Sequence, residues 1–525
     1  MDAKKLNWFL IIIIIIMVVV TSFPYIYAAG VSGSEYIFGG FLFNPIDGNS
    51  YLAKMRQGWE GDWRFTLPYT AEPGRGAFLF LFYLFLGKIS RVTGLSLLTT
   101  YHVVRVICLT IMLIALYNFF TGLMKTERQL KIAFLLAVFG SGLGWAAMVL
   151  GIFTADFWVA EAYPFLSAYV NPHFPLGIAL LLWLFSLSQR YPDDDGFDGK
   201  KWRGAGLFLG AILLGIVMPF GVVIAILVLG CLGTWRSIDL FQLGKFQGLP
   251  SFSREYYSTI LVGIGGGPIL LYYYWVTLID PVMADWNSQN VTPSPPVWDF
   301  IISFLPVLIF AIPGAQVALR DRTKSMRILL VWSVLGLLLL WIPFGLQRRF
   351  IFGLYIPLAG LASLGINKLL ESVRRNQIVI LISIIGFATI TNLIVIMAGI
   401  GGIRSRDRSV YMAQGESQAF EWIDNNLEKD AVILAGPETG LLIPAYTGRR
   451  VLYGHPFETV DANAKVQEVK RFYNNPDIID SAGLLGTVNY VFVGPREREI
   501  SSNGFHLDLQ VIYEEMGVTI FSVTR

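Results

Sequence analysis

Apolar runs long enough to cross a bilayer recur along this 525-residue chain, and they constrain its fold more than any motif does. A hydrocarbon core about 30 Å thick takes about 20 residues of helix. By that measure the runs near 6–28, 97–123, 131–152, 174–189, 258–279, 299–318, 328–346, 350–367 and 377–399 are spans. The stretch 204–234 is too long for one span and short for two, and charge decides it. Lys200, Lys201 and Arg203 precede it; Arg236, Lys245 and Arg254 follow it. With basic loops on the cytoplasmic side, both ends lie there, and the stretch is a hairpin of two short helices broken at Pro219. The basic stretches 125–131, 320–327 and 368–375 fall on the same side. The count is then about eleven spans, with a cytoplasmic N-terminus and the last segment outside.

Composition agrees. Hydrophobic residues make up 54% of the chain and charged ones 15%, whereas a soluble domain carries about a quarter charged. A net charge of +3 gives no reason to expect nucleic acid as a partner. Cys108 and Cys231 both lie in apolar runs, as packing residues rather than a disulfide. The first apolar run ends in small residues, Ala28-Ala29-Gly30, where a signal peptidase could cut. It outlasts a signal-peptide core, so an uncleaved first helix is expected.

Residues 77–90 are apolar and rich in aromatics (Phe78, Phe80, Phe82, Tyr83), but too short to cross. A helix lying on the outer interface suits them. The first outer loop then covers about 30–96, long enough to suggest function. Residues 1–400 form the membrane module. From 401 to 525 charge returns, and a small extracytoplasmic α/β domain is expected. Its helices fall at 416–427 and 466–473, and its strands at 431–435, 451–453, 488–493, 509–513 and 519–523.

The first outer loop reads Asn44-Pro-Ile-Asp47, followed by Tyr51, Arg56 and Gly58. The stretch from Gln347 through Arg348, Arg349 and Pro357 opens a late helix. An acidic residue soon after the first span, an interfacial helix before the second and this late arginine-aromatic-proline entry resemble the GT-C superfamily of membrane glycosyltransferases. The resemblance implies a multi-pass cell-membrane enzyme with about eleven transmembrane helices of GT-C type and an external C-terminal α/β domain. It implies a polyprenyl-phosphate-linked sugar as donor and a glycan, lipid or protein hydroxyl as acceptor, with inversion at the anomeric carbon. Asp47 would then be the base. Alone, its spacing reads equally as a loop acid capping a helix over 50–59. Arg348 and Arg349, with His173 of the second outer loop, would bind the donor phosphate, since a guanidinium pairs with phosphate in bidentate fashion. Snorkelling anchors are the plainer reading of the two arginines.

In the oligosaccharyltransferase branch, acids of the first two outer loops share a divalent metal. That would gather Asp47, Asp156 and Glu161 around Mg or Mn. The chain lacks that branch's Trp-Trp-Asp motif; Trp286 and Trp298 beside Asp285 and Asp299 do not reproduce it. Arg105 and His102 inside the second span read as interhelical pairing residues. The glycines at 140–144 and 263–267 read as close helix packing, and Asp193, Asp194 and Asp195 as a solvated turn. A transporter of lipid-linked glycans is the rival reading, but it lacks matching broken helices in two repeats. A non-catalytic assembly subunit is a third.

Overall fold

A computed structural model describes residues 8–189, 197–321, 325–373, 375–474, 481–501 and 507–523. The acidic triplet 193–195 lies outside them. Eight helices among these residues are long and apolar enough to cross a membrane. They are Trp8–Gly30, Leu97–Leu123, Glu127–Met148, Pro219–Gln242, Tyr257–Ile279, Val297–Arg320, Gln347–Ser372 and Gln377–Arg404. The shorter apolar helices His173–Ser188 and Arg327–Leu339, and the 21-residue helix Phe197–Val217, stand at the other expected spans. The protein is a polytopic helical membrane protein with a small C-terminal α/β segment.

Several boundaries differ from the sequence reading for local reasons. The hairpin around Pro219 consists of two full helices, Phe197–Val217 and Pro219–Gln242. Their charged flanks continue the helix because Lys and Arg are good helix formers. Met218 leaves helical geometry (φ −150°, ψ 83°), and Pro219 restarts the helix at its first position. Arg327–Leu339 ends well short of residue 346, because Pro343 disfavours helical backbone in the residue before it. A 3-10 turn, Gln347–Ile351, then carries Arg348 and Arg349 ahead of the helix Tyr355–Ser372. The expected interfacial helix runs Leu81–Thr93 rather than 77–90, because Ala77 instead bridges to Phe65 as extended backbone.

By contact the chain forms two compact units. The first comprises Met1–Ser22, Val103–Tyr272 and Thr292–Ala398. Its tightest helix pair is Val297–Arg320 with Tyr355–Ser372. A Cβ on Gly314 would stand 1.8 Å from the Leu361 carbonyl oxygen, and one on Gly365 2.1 Å from that of Phe310. These small residues let the two backbones touch. Arg105 is buried, donating to the Ala168 carbonyl at 2.9 Å, which satisfies a charge that would be costly among apolar helices.

The glycines at 140–144 do pack closely, a Cβ on Gly142 meeting the Ser303 carbonyl oxygen at 2.3 Å, but not as part of an unbroken helix. They do not lie within one continuous helix; they break it, between Glu127–Phe139 and Gly144–Met148. An interrupted apolar helix must find partners for its freed backbone groups inside the protein. Here Gly142 N and Gly144 N donate to Asp156 Oδ2 at 3.1 and 3.0 Å. Asn392 Nδ2 donates to the Phe139 carbonyl, and Ser141 N and Oγ donate to the Ala388 carbonyl.

The second unit comprises Phe23–His102, Tyr273–Val291 and Gly399–Arg525, so the loop at 30–96 belongs with the C-terminal segment. Strands β1 (Tyr36–Phe38) and β2 (Tyr411–Ala413) pair antiparallel, Ile37 opposite Met412. A five-stranded sheet follows in the order β4-β3-β5-β7-β6. Its strands are β3 (Val432–Leu434), β4 (Arg450–Val451), β5 (Tyr490–Val493), β6 (Gln510–Glu515) and β7 (Val518–Ser522). β4, β3 and β5 run parallel, and β7 pairs antiparallel with β5 and β6. Val432, Leu434, Leu452, Val469, Phe472, Val491 and Val493 form its core. The loop helix Pro45–Glu60 packs on Leu81–Thr93 through Gly58 and Gly87. Cβ atoms there would meet the Leu84 and Met55 carbonyl oxygens at 2.0 and 1.9 Å.

Gly365→Leu should therefore force its helix pair apart and lower the melting temperature of the detergent-solubilised protein, at a cost of about 1–3 kcal/mol. Gly386→Leu, where nothing lies within 4 Å, should leave it unchanged.

Candidate functional site

Asn44 holds left-handed backbone (φ 44°, ψ 63°), a region in which Asn is enriched. Its side chain caps the helix Pro45–Glu60, accepting from Asp47 N at 3.3 Å while donating to Asp47 Oδ2 at 2.6 Å. Asp47 thus sits in the first turn, where the helix dipole favours a carboxylate. Its side chain is 44% exposed. The capping role read for Asp47 from the sequence belongs instead to Asn44, while Asp47 keeps an accessible carboxylate.

Asp47, Ser50 and Lys54 recur at helical spacing and share a face. Behind Asp47 that face is buried and polar. Lys54 has no exposed surface; its ammonium pairs with Glu458 Oε1 at 2.7 Å. Ser50 Oγ donates to the same oxygen at 2.7 Å. The Phe80, Phe65 and Tyr51 rings surround the ammonium at 4.4, 5.2 and 5.7 Å from their centroids, an arrangement favourable to a desolvated cation. Burial pushes the Glu458 carboxyl up. The charge of Lys54 and the hydrogen bonds from Lys54 and Ser50 outweigh it, so the carboxyl is held below its usual range.

His455 is buried beside them, and its Nδ1 accepts from Phe457 N and Glu458 N, both at 3.1 Å. A nitrogen accepting two N–H bonds carries no proton, so this geometry assigns the hydrogen to Nε2. Nε2 lies 3.9 Å from Asp47 Oδ1 and has no hydrogen-bond partner. Burial lowers the imidazole pKa below 6.5, with Glu458 and Asp47 pulling it up and Lys54 pushing it down, so the ring is neutral at pH 7.

In the first unit, Glu161 is buried and shared by two arginines. Arg348 Nε stands 3.5 Å and Arg349 Nη1 3.4 Å from its Oε1. The Glu161 backbone carbonyl accepts from Gly353 N, and the Arg348 guanidinium lies 4.9 Å over the Trp158 ring. One carboxylate thus faces two guanidinium groups. His173 is the first residue of the helix His173–Ser188 and lies against the Phe174 ring.

Asp156 is fully buried, and both of its oxygens are taken. Besides Gly142 N and Gly144 N, Thr154 Oγ1 donates to Oδ1 at 2.6 Å. Among the described residues, no three His, Cys, Asp or Glu side chains gather as metal ligands. With Asp156 holding backbone and Glu161 holding arginines, the residues present do not fit the shared Mg or Mn ion that the resemblance suggests.

No family model and no curated protein matches the sequence. Solved structures do match. The Archaeoglobus fulgidus oligosaccharyltransferase in its apo form gives a TM-score of 0.56 at 12% identity, over 94% of this chain and 70% of its own. ArnT from Cupriavidus metallidurans bound to undecaprenyl phosphate gives 0.54 at 10%, over 97% and 98%. The chain has the GT-C fold. Within this GT-C architecture the comparison extends almost end to end, C-terminal segment included. The archaeal enzyme in complex with an inhibitory peptide and a dolichol-phosphate also matches, at 0.54 and 12%, over 93% and 69%.

Sequence reasoning missed His455 and Glu458. Glu458 meets Lys54 across 404 positions, and no local pattern connects the two. Lys54 was findable, as a cation on the Asp47 face of an otherwise well-covered helix. Lys54→Met or Glu458→Leu alone should strand a buried charge and destabilise the fold by about 3–5 kcal/mol, with the double variant recovering much of the loss. Because the folded Glu458 value is depressed, its contribution is present above 4.5 and lost as pH falls through the folded value. Thermal melts across pH should therefore show that acid-side loss in the wild type and not in the double variant.

Proposed function

We propose that this GT-C protein is an inverting glycosyltransferase using a polyprenyl-phosphate-linked sugar at the outer face of the cell membrane. The observation that carries the reading is Glu161 divided between Arg348 and Arg349. Two guanidinium groups side by side in a membrane enzyme suit a phosphate headgroup, which they can meet with charge-assisted, bidentate hydrogen bonds. In the transfer, the acceptor hydroxyl oxygen attacks the anomeric carbon and its proton passes to the Asp47 carboxylate. The bond from the anomeric carbon to the phosphate oxygen breaks, and its electron pair leaves with the lipid phosphate. Arg348 and Arg349 would offset that developing charge, and His173 is retained as a further donor to the phosphate. Two solved GT-C proteins were captured with dolichol-phosphate and with undecaprenyl phosphate, which supports a donor of this class.

With undecaprenyl-phosphate sugars as donors and release of the lipid phosphate as the readout, Asp47→Asn should lower turnover by about 10²–10⁴-fold while donor binding is kept. Asp62→Asn, an exposed acid of the same loop, should be tolerated. Near-normal turnover in Asp47→Asn would remove Asp47 as the base. Arg349→Ala should weaken donor binding at least about tenfold. Unchanged binding in the Arg348→Ala/Arg349→Ala variant would reduce both arginines to anchors.

Orientation is a separate test. The basic loops support an outer position for the first loop and the C-terminal segment. In a cysteine-free background, Ser34→Cys and Asn426→Cys should react with an impermeant thiol reagent in intact cells, and Lys245→Cys should be protected. Protection at Asn426→Cys with labelling at Ser34→Cys would mean the span count is off by one.

A further inference from the structure

From the unpartnered Nε2–H of His455 beside Asp47, we infer that these two groups together hold the acceptor as a hydroxyl, not as an amide nitrogen. The inference rests on Asp47 being the base and extends it to the substrate class.

The separation itself is informative. At 3.9 Å, His455 Nε2 and Asp47 Oδ1 are too far apart to bond directly. One oxygen can reach both with hydrogen bonds of about 2.8 Å meeting at about 90°. It would accept from Nε2–H and donate to Oδ1, and a hydroxyl can do both. The attacking nitrogen of an asparagine side chain cannot, because its NH2 group donates and has no lone pair to give His455.

Both groups are fixed in advance. The two backbone N–H groups on Nδ1 set the His455 tautomer, and Asn44 holds the far oxygen of Asp47. The adjacent Glu458, pinned by Lys54 and Ser50, also keeps a buried oxygen, Oε2, without a partner. Buried polar atoms are normally satisfied. Two orphans on neighbouring residues beside an accessible carboxylate are what a binding site for a hydroxyl-rich molecule requires. During transfer the acceptor O–H bond breaks and its proton moves to Asp47 Oδ1. The oxygen bonds to the anomeric carbon as the phosphate leaves, while the His455 hydrogen bond keeps a lone pair aimed at that carbon.

The test uses the full-length protein in nanodiscs, with undecaprenyl-phosphate sugars as donors. Methyl glycosides serve as hydroxyl probes and an asparagine-containing peptide as the amide probe. The methyl glycosides should be glycosylated and the peptide should not; transfer to the peptide amide would overturn the inference. His455→Phe should raise the acceptor KM by about tenfold or more and leave the donor KM within about twofold. His455→Gln, whose amide N–H can replace Nε2–H, should recover part of that loss. An equal effect on both substrates, or none, would overturn the role of His455. A substrate-free measurement stands beside these. Nitrogen NMR of histidine-labelled protein, with His455 assigned by its loss in His455→Gln, should find the proton on Nε2; a proton on Nδ1 would sink the proposal. Failure of the base reading is distinguishable, because it appears as normal turnover in Asp47→Asn whatever His455→Phe does.

Discussion

The ion pair between Lys54 and Glu458 is the contact on which the second unit turns. An ammonium without exposed surface is tolerable only because a carboxylate, a hydroxyl and three aromatic rings surround it. The partners come from opposite ends of the chain, so making the pair fastens the first outer loop to the C-terminal segment. It also sets what lies nearby. Ser50 is drawn to the same carboxylate, and His455, three residues before Glu458, is fixed by the turn that ends at Glu458 N. Such a pair is weak evidence for net stability, since desolvation cancels much of the attraction. Its value here is register, because a docking of the loop helix that separated the pair would strand both charges.

A second constraint shapes the first unit. Among apolar helices a polar group has no water to fall back on, so every departure from helix must be answered by another part of the protein. Asp156 answers the break at 140–144, and Arg105 finds a carbonyl on a neighbouring segment. Glu161 answers two arginines at once. The acids Asp47, Asp156 and Glu161 have therefore diverged in environment. Asp156 is spent on backbone and Glu161 on guanidinium groups. Asp47 alone keeps an accessible oxygen, which is why the catalytic proposal settles on it.

Much of this was legible in the sequence. The apolar runs located the spanning helices closely, because a bilayer imposes length and hydropathy with little tolerance. Charge placed the hairpin around Pro219, and alternating patterns located the five strands of the C-terminal sheet. The loop motif singled out Asp47, and the 347–362 stretch the two arginines. Boundaries slipped where local chemistry, not hydropathy, decides them, as at Pro343 and Met218. The glycines at 140–144 make the close packing read from the sequence, but the break in the helix was hidden, because the two look alike until the capping carboxylate is seen.

What the sequence determined by itself is whatever one segment can specify. That includes which stretches enter lipid, which face of a helix is apolar, and which loops carry an acid or a pair of arginines. Only the tertiary structure decided the partners: Lys54 with Glu458, His455 with Asp47, and Glu161 with Arg348 and Arg349. The physical reason is that burial and pairing are properties of two distant segments at once. A lone carboxylate reads the same in sequence whether it will cap a backbone, neutralise a guanidinium or remain open to a substrate. Its neighbours in space, which the chain brings together only on folding, choose among the three.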